Sequence, residues 1–330
     1  MSGSFYLEIE NLVFSYQEDI PVLNIPSLRF ASGAVSVLLG GNGTGKTTLL
    51  KIVAGILTQN GGTVTITGGI MNKLDQTLYI HQNPYLISGT VEQSLRYLLS
   101  NHQNPVMKSI DSILAETGLE GFSRRHVHKL SGGEKKRIAL ACGLAADRSI
   151  LLLDEPTAHL DRESILRLEG QIHSLREAGR MVIIATHNRE FAFRLADTVW
   201  QLESGTPELL DYTYLRGTIT RTDEYFSYFT PADSTVPLEL KVIQTDQVVT
   251  TAVIDSREVI LSLYPIESSA RNSLKGTITA IEHEDTVSMI TVDCGVLLEA
   301  AITRRALESM QLAEGSEVYP VFKSSSVKLF

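Results

Sequence analysis

Cysteine is scarce. Cys142 and Cys294 are the two in 330 residues, and they stand far apart in the chain. That spacing excludes a disulfide framework or a zinc cluster and fits a reducing compartment. Long apolar runs are missing as well: no stretch reaches the roughly 18 residues that a spanning helix needs. The N-terminus, Met1-Ser2-Gly3-Ser4-Phe5, lacks the basic start and apolar core of a signal peptide. A basic surface is absent too. Net charge is −9, with residues 1–212 at −3 and residues 213–330 at −6, so no nucleic-acid partner is expected. These absences describe a soluble, cytoplasmic chain that would reach a membrane only through a partner. There is no low-complexity linker and no clear repeat. At 43% hydrophobic residues, the composition supports a sizeable core.

What is present begins at Gly40-Gly41-Asn42-Gly43-Thr44-Gly45-Lys46-Thr47-Thr48. The stretch fits G-x-x-x-x-G-K-[ST], a phosphate-binding loop. The apolar run Ala34 to Leu39 leads in as a strand, and Thr47 to Val53 leads out as a helix. Glycines let successive backbone N–H groups turn toward phosphate oxygens. The helix N-terminus adds a positive dipole end. Lys46 is expected on the β- and γ-phosphates of ATP, and Thr47 on Mg²⁺.

Around this loop the chain reads as alternating strands and helices. Tyr6–Phe14, Leu28–Phe30 and Val64–Ile66 suggest an antiparallel flap. Leu78–Ile80 is a short strand, halted at Pro84. Thr90 to Gln93 is a capping box that starts a helix. Val106–Thr117 reads as a second, amphipathic helix stopped by Gly118. Ser131 and Glu134 form another capping box, before a helix over Ile138–Ala146. Ile150–Leu153 and Met181–Ala185 are apolar on both faces, as strands inside a parallel sheet are. Asp161 and Asn188 cap the helices that follow them. The pattern predicts a parallel α/β sheet with right-handed crossovers. From Tyr214 onward the texture changes to short alternating strands with one helical piece, Thr303–Met310, as in small β-barrels.

Asp154 and Glu155 end the apolar run Ile150–Leu153, at the carboxyl edge where open α/β sheets bind ligands. Beside a phosphate loop they suit phosphoryl transfer. Asp154 is expected to bind Mg²⁺ directly or through water, and Glu155 to polarise the attacking water as general base.

With these residues in place, the first 210 residues resemble the ATP-binding cassette (ABC) ATPases. Leu130-Ser131-Gly132-Gly133-Glu134 is similar to the family signature, with glutamate where many importers have glutamine. Gln82 falls at the Q-loop position, Pro156 to Asp161 resembles the D-loop, and His187 resembles the switch histidine. Tyr16 matches the aromatic that stacks on adenine. The resemblance implies a RecA-like P-loop cassette over residues 1–212, with a helical subdomain at about 84–135. It implies a homodimer in which Lys46 and Thr47 of one copy face Ser131 and Gly133 of the other, with Gly132 and Asp161 also at the nucleotide site. His187 would contact the γ-phosphate, and Gln82 would sense Mg²⁺ and tether the helical insertion.

Ser268-Ser269-Ala270-Arg271-Asn272, Val292-Asp293-Cys294-Gly295, Ile302-Thr303 and Phe322-Lys323-Ser324 resemble the Mop-type (TOBE-like) fold of molybdate- and tungstate-uptake ATPases. Residues 268–330 are then an all-β oxyanion-binding and dimerisation domain, and 213–267 a β-rich connection. The family's oxyanion contacts carry over onto Ser269, Arg271, Thr303, Lys323 and Ser324, hydroxyls and cations that suit a tetrahedral dianion. Ala306 stands where the family often has serine, so one donor is missing.

The leading expectation is the ATPase subunit of a molybdate or tungstate importer. It would sit on the inner face of the cell membrane through permease subunits, indirectly served by an extracytoplasmic binding protein. The alternative keeps the ATPase but changes the cargo to sulfate, iron, sugar or polyamine, with a purely structural β-domain. A soluble ABC protein of translation or repair fits less well, because those commonly carry two cassettes or a long coiled-coil insertion. An oxyanion regulator or store would not need the ATP motifs.

Overall fold

The computed structural model describes residues 4–17, 20–68, 76–84, 86–100, 109–116, 118–145, 148–245, 248–283 and 287–330. Strand β1 (Tyr6–Ser15) lies between β2 (Pro21–Ala31) and β4 (Gly61–Thr67) in a three-stranded antiparallel sheet. The alternation of β1 buries Leu7 and Ile9, slips at Asn11, and resumes with Leu12 and Phe14. Asn11 sits in the left-handed region, at φ 49°, which asparagine tolerates better than most residues. β2 is much longer than the expected Leu28–Phe30, because Pro26 interrupts the strand pattern in the sequence without ending the strand. Pairing of β1 with β2 skips the step between Glu10↔Ser27 and Leu12↔Ile25. Pro26 therefore sits on an edge strand where the ladder lapses, the setting that tolerates proline.

The central sheet has the order β5-β6-β7-β3-β8-β9. β3 (Val35–Leu39), β6 (Ile150–Asp154) and β7 (Met181–Thr186) are buried at every position, as strands covered on both faces must be. β5 (Thr77–Ile80) and β8 (Thr198–Glu203) extend the parallel set, and β9 (Thr206–Leu209) returns antiparallel on β8. Ser204 and Gly205 turn that hairpin with φ 48° and 81°, the paired positive values of a primed two-residue turn. Helix α1 (Lys46–Val53) follows β3.

The insertion carries α2 (Val91–Ser100), α3 (Ile110–Glu116) and α4 (Gly132–Ala145). Its own small core gathers Val91, Leu95, Leu114, Leu119, Leu130 and Ile138. Residues 106–108 and 117 of the expected second helix, and Ala146 of the third, lie outside the described residues. Both capping boxes form. Gln93 N–H donates to Thr90 Oγ1 at 3.2 Å and Glu134 N–H to Ser131 Oγ at 3.2 Å, each answered by the partner's side chain. Asp161 caps α5 (Arg162–Glu177), and Asn188 caps α6 (Arg189–Leu195). Among the described residues no helix is long and apolar enough to cross a membrane.

The chain divides into two units, Met1–Leu210 and Asp211–Phe330. In the second, β10 (Tyr212–Thr222), β11 (Phe226–Pro231), β12 (Leu240–Ile243) and β13 (Thr251–Asp255) form an antiparallel sheet, completed by the final strand β20 (Val327–Leu329) in the order β12-β11-β10-β13-β20. The other sheet contains β14 (Ile260–Ser262), β15 (Asn272–Ser273), β16 (Gly276–His283), β17 (Val287–Asp293), β18 (Leu297–Thr303) and β19 (Glu317–Phe322). Its order is β14-β19-β16-β17-β18, with β15 paired to β19 and the outer strands β14 and β18 in contact. Helix α7 (Arg304–Ser309) follows β18. Residues 213–267 and 268–330 pack together. β14 pairs with β19, β13 pairs with β20, and one apolar core runs from Leu215 to Val327.

Candidate functional site

The phosphate-loop sequence forms a strand-loop-helix turn between β3 and α1. Gly43 and Gly45 take φ 82° and 101°, values that glycine alone adopts freely. A Cβ on Gly40 would lie 2.6 Å from the Leu202 carbonyl oxygen. Thr44 Oγ1 donates to the Gly41 carbonyl at 3.1 Å. Lys46 is buried, and its ammonium donates to the Gly40 and Gly41 carbonyls at 2.8 and 2.7 Å. Burial holds its pKa below the usual lysine value, partly opposed by the negative charges of Glu155 and Asp154.

Asp154 and Glu155 occupy the carboxyl end of β6, one strand away from β3 across β7. Thr47 Oγ1 donates to both Asp154 carboxylate oxygens, at 3.0 and 2.9 Å. Tyr79, on β5, donates its hydroxyl to Asp154 Oδ2 at 3.0 Å. Burial first, and then the Asp154 charge, push the Tyr79 phenol well above its ordinary value.

Glu155 has φ 44°, outside the range most side chains prefer. Its N–H donates to the Ala185 carbonyl at 2.8 Å. Oε2 accepts from Thr186 Oγ1 at 3.1 Å, and Oε1 lies 2.9 Å from His187 Nδ1. The buried Lys136 ammonium donates to the Glu155 backbone carbonyl. Burial pushes the Lys136 pKa down to about 8, against the pull of Glu155 and Asp154. Tyr79, Thr186 and Lys136 are site residues that no motif in the sequence marks.

A cavity of about 420 Å³ opens over this cluster. Tyr16, Asn42, Gly43, Gly45, Lys46, Thr47, Thr48, Gln82, Glu155 and His187 line it, with Val22 added. Gly40, Gly41 and Thr44 shape the loop behind it, and Asp154 stands beneath Thr47. Tyr16 is exposed, its ring edge-on to Phe14 and its hydroxyl 3.1 Å from Thr48 Oγ1. The residues suit a nucleotide with Mg²⁺. A buried ammonium and a helix N-terminus face the cavity for phosphate, and the hard oxygens of Thr47 and Asp154 meet for a divalent cation.

Ser131, Gly132, Gly133 and Asp161 do not line this cavity. Ser131 and Gly132 are exposed at the start of α4. The backbone N–H of Ser131 holds the Glu134 carboxyl below its ordinary pKa. Asp161 Oδ1 accepts from Ser164 N–H at 2.8 Å. A Cβ on Gly133 would stand 3.0 Å from the His159 carbonyl, so the loop Pro156–Asp161 lies close against the signature turn.

In the second unit, β15 and β19 pair Asn272 with Phe322, and Arg271 and Lys323 are the next residues along the chain, beyond the paired positions. Ser269, Arg271 and Lys323 are exposed. Ser324 is buried, and its hydroxyl has no hydrogen-bond partner among the described residues. Thr303 stands at the end of β18, three places from β19 in the sheet order. Its Oγ1 accepts from Ala306 N–H at 3.2 Å, capping α7.

A parallel sheet with a phosphate loop at one strand end and a carboxylate pair at another defines a P-loop nucleotide hydrolase. The family model described as ABC transporter matches residues 23–158, and that of the TOBE domain matches residues 268–329. The tungstate uptake system ATP-binding protein TupC of Peptoclostridium acidaminophilum is 35% identical over 204 residues, covering 60% of this chain and 95% of that protein. The molybdate/tungstate import ATP-binding protein WtpC of Pyrococcus abyssi is 28% identical over 333 residues, covering 89% of this chain and 92% of that one. Among solved structures, cbiO1 from Clostridium perfringens, part of the ABC transporter complex cbiONQ, superposes with a TM-score of 0.53 at 28% identity, over 62% of this chain and 86% of its own. The chain belongs to the ATP-binding proteins of ABC transporters. Such subunits bind and hydrolyse ATP, dimerise, and work with membrane permease components.

Proposed function

We propose that the chain energises an importer for molybdate or tungstate, with ATP hydrolysed at the cavity over Lys46, Asp154 and Glu155. Glu155 takes the proton from the attacking water. Thr186 and His187 hold its two carboxylate oxygens, and His187 lines the cavity within reach of the γ-phosphate. Lys46 and the loop Gly40–Thr48 hold the phosphates, and Tyr16 stacks on the adenine. Mg²⁺ held by Thr47, Asp154 and Gln82 would supply charge to the β- and γ-phosphate oxygens. Ser131, Gly132, Gly133 and Asp161 lie away from their own cavity because they serve the cavity of a second copy.

One observation carries the cargo assignment: Ser324 Oγ is buried and has no partner among the described residues, next in the chain to the exposed Lys323. Buried polar groups without partners are rare, and an oxyanion would satisfy this one. The similarity to the molybdate/tungstate ATP-binding protein runs through both units and supports the same reading. The importer would place the subunit on the inner face of the cell membrane, against a permease fed by an extracytoplasmic binding protein. Titration calorimetry of the purified chain with molybdate, tungstate and sulfate tests the site. Heat with the first two, lost in Arg271→Ala and Lys323→Ala, is expected. No heat with any of the three leaves the β-domain structural and the cargo among other anions, iron, sugars or polyamines.

A further inference from the structure

Lys136 is one of few charged side chains buried among the described residues, at 2% exposure. It lies on α4, one turn beyond Gly133 and four residues before the buried Leu140, so it shares that helix's inward face. Burying an ammonium is unfavourable without a partner. The partner here is the backbone carbonyl of Glu155, the residue whose φ of 44° departs from the ordinary range. The same carbonyl accepts from Ala158 N–H at 3.2 Å. The Glu155 peptide is thus fixed from both ends, by Ala185 through its N–H and by Lys136 through its carbonyl. Ala185 belongs to the central sheet. Lys136 belongs to the helix that presents Ser131 to Gly133.

We propose that Lys136 is a positioning residue for the hydrolytic centre: it holds the Glu155 peptide in its left-handed conformation and makes that setting depend on where α4 lies. The inference rests on Glu155 acting as the general base. Any shift of α4 against the central sheet carries Lys136 with it and reorients the carboxylate. The signature turn at the start of α4 and the hydrolytic carboxylate of the same copy then report on each other, although the turn lies outside that copy's cavity. A methionine of similar length would fill the space but could not donate to the carbonyl.

The test uses the full chain with MgATP and the variants Lys136→Met, Lys136→Gln and Lys136→Arg. For Lys136→Met, kcat is expected to fall about 10- to 100-fold, the scale of a slightly misplaced catalytic group. KM should stay within about threefold, because ground-state binding is untouched. Amide exchange across residues 154–160 should quicken, and Lys136→Arg, which keeps a donor, should recover part of kcat. If the methionine variant does not fold, Lys136→Gln compared with Lys136→Arg reads the same quantities. A kcat within about twofold of the parent, unchanged exchange at 154–160, or no recovery with arginine overturns the proposal. Glu155→Gln is measured alongside. Parent-like turnover in that variant would remove the general-base reading itself. An inactive Glu155→Gln beside a fully active Lys136→Met would remove only the role of Lys136.

Discussion

His187 Nδ1 lies 2.9 Å from Glu155 Oε1, while the neighbouring Thr186 donates its hydroxyl to Glu155 Oε2 at 3.1 Å. Consecutive residues at the end of one strand therefore hold both oxygens of a carboxylate from another. Removing either partner should loosen the carboxylate and leave the phosphate loop intact. Thr186→Val is expected to lower kcat by about tenfold, and His187→Ala by about 100-fold or more, the range for a general base losing its orientation. Steady-state hydrolysis together with nucleotide affinity decides the matter. If affinity falls in step with kcat, the two residues bind substrate and do not orient Glu155.

Tyr79 and Thr47 both donate to Asp154. Groups that orient a metal-binding carboxylate typically alter metal affinity by about 10-fold or more. Tyr79→Phe should therefore raise the Mg²⁺ concentration that supports half-maximal hydrolysis by about tenfold, with little change at saturating Mg²⁺. An unchanged Mg²⁺ titration would show that the phenol only fills space beside β6.

Asp223 turns the hairpin between β10 and β11. It accepts from the Tyr228 hydroxyl at 2.6 Å and from the N–H groups of Tyr225 and Phe226 at 2.8 Å. The Tyr228 bond, followed by the two backbone bonds, holds its pKa down to about 2. Its folded pKa is depressed, so its contribution to stability is present above the unfolded value near 3.8 and disappears as pH falls through 2. The stability difference between parent and Asp223→Asn should be constant near neutrality and shrink between about pH 4 and 2. A difference independent of pH over that window would contradict this.

Cys294 is buried, and burial, with Asp293 adding to it, pushes its thiol up to about 12. Thiolate is the reactive form. In a Cys142→Ser background, Cys294 should resist maleimide at pH 8 in the folded protein and react once denaturant is added. The raised pKa also means that its neutral form stabilises the fold below the unfolded value near 9, an effect lost as pH rises toward 12. Rapid labelling of the folded chain would show that the thiol is accessible.

Features that depend on neighbours along the chain are legible in the sequence alone. Thr90 with Gln93, Ser131 with Glu134, and the caps Asp161 and Asn188 are each closed within three residues. The apolar runs ending at Leu39, Asp154 and Thr186 announce the parallel sheet. Contacts between distant segments are not legible. β20 reaches back to β13, a pairing between residues some 75 positions apart that no neighbour in the sequence announces. β11 and β13 give no strand signal because the expected alternation is broken: Ser227, Tyr228 and Phe229 are consecutive buried positions, as are Thr251 to Ile254. Tyr79 and Lys136 carry their meaning through partners 75 and 19 residues away. Lys136 does leave one signal, a charge placed four residues before an apolar position on the same helix face.

Hydrolysis depends most directly on Glu155. With ATP and Mg²⁺, Glu155→Gln should bind nucleotide as the parent does, lose turnover by about 100-fold or more, and accumulate as an ATP-held dimer in size-exclusion chromatography. Hydrolysis by that variant at the parent rate would contradict the assignment of Glu155 as the general base.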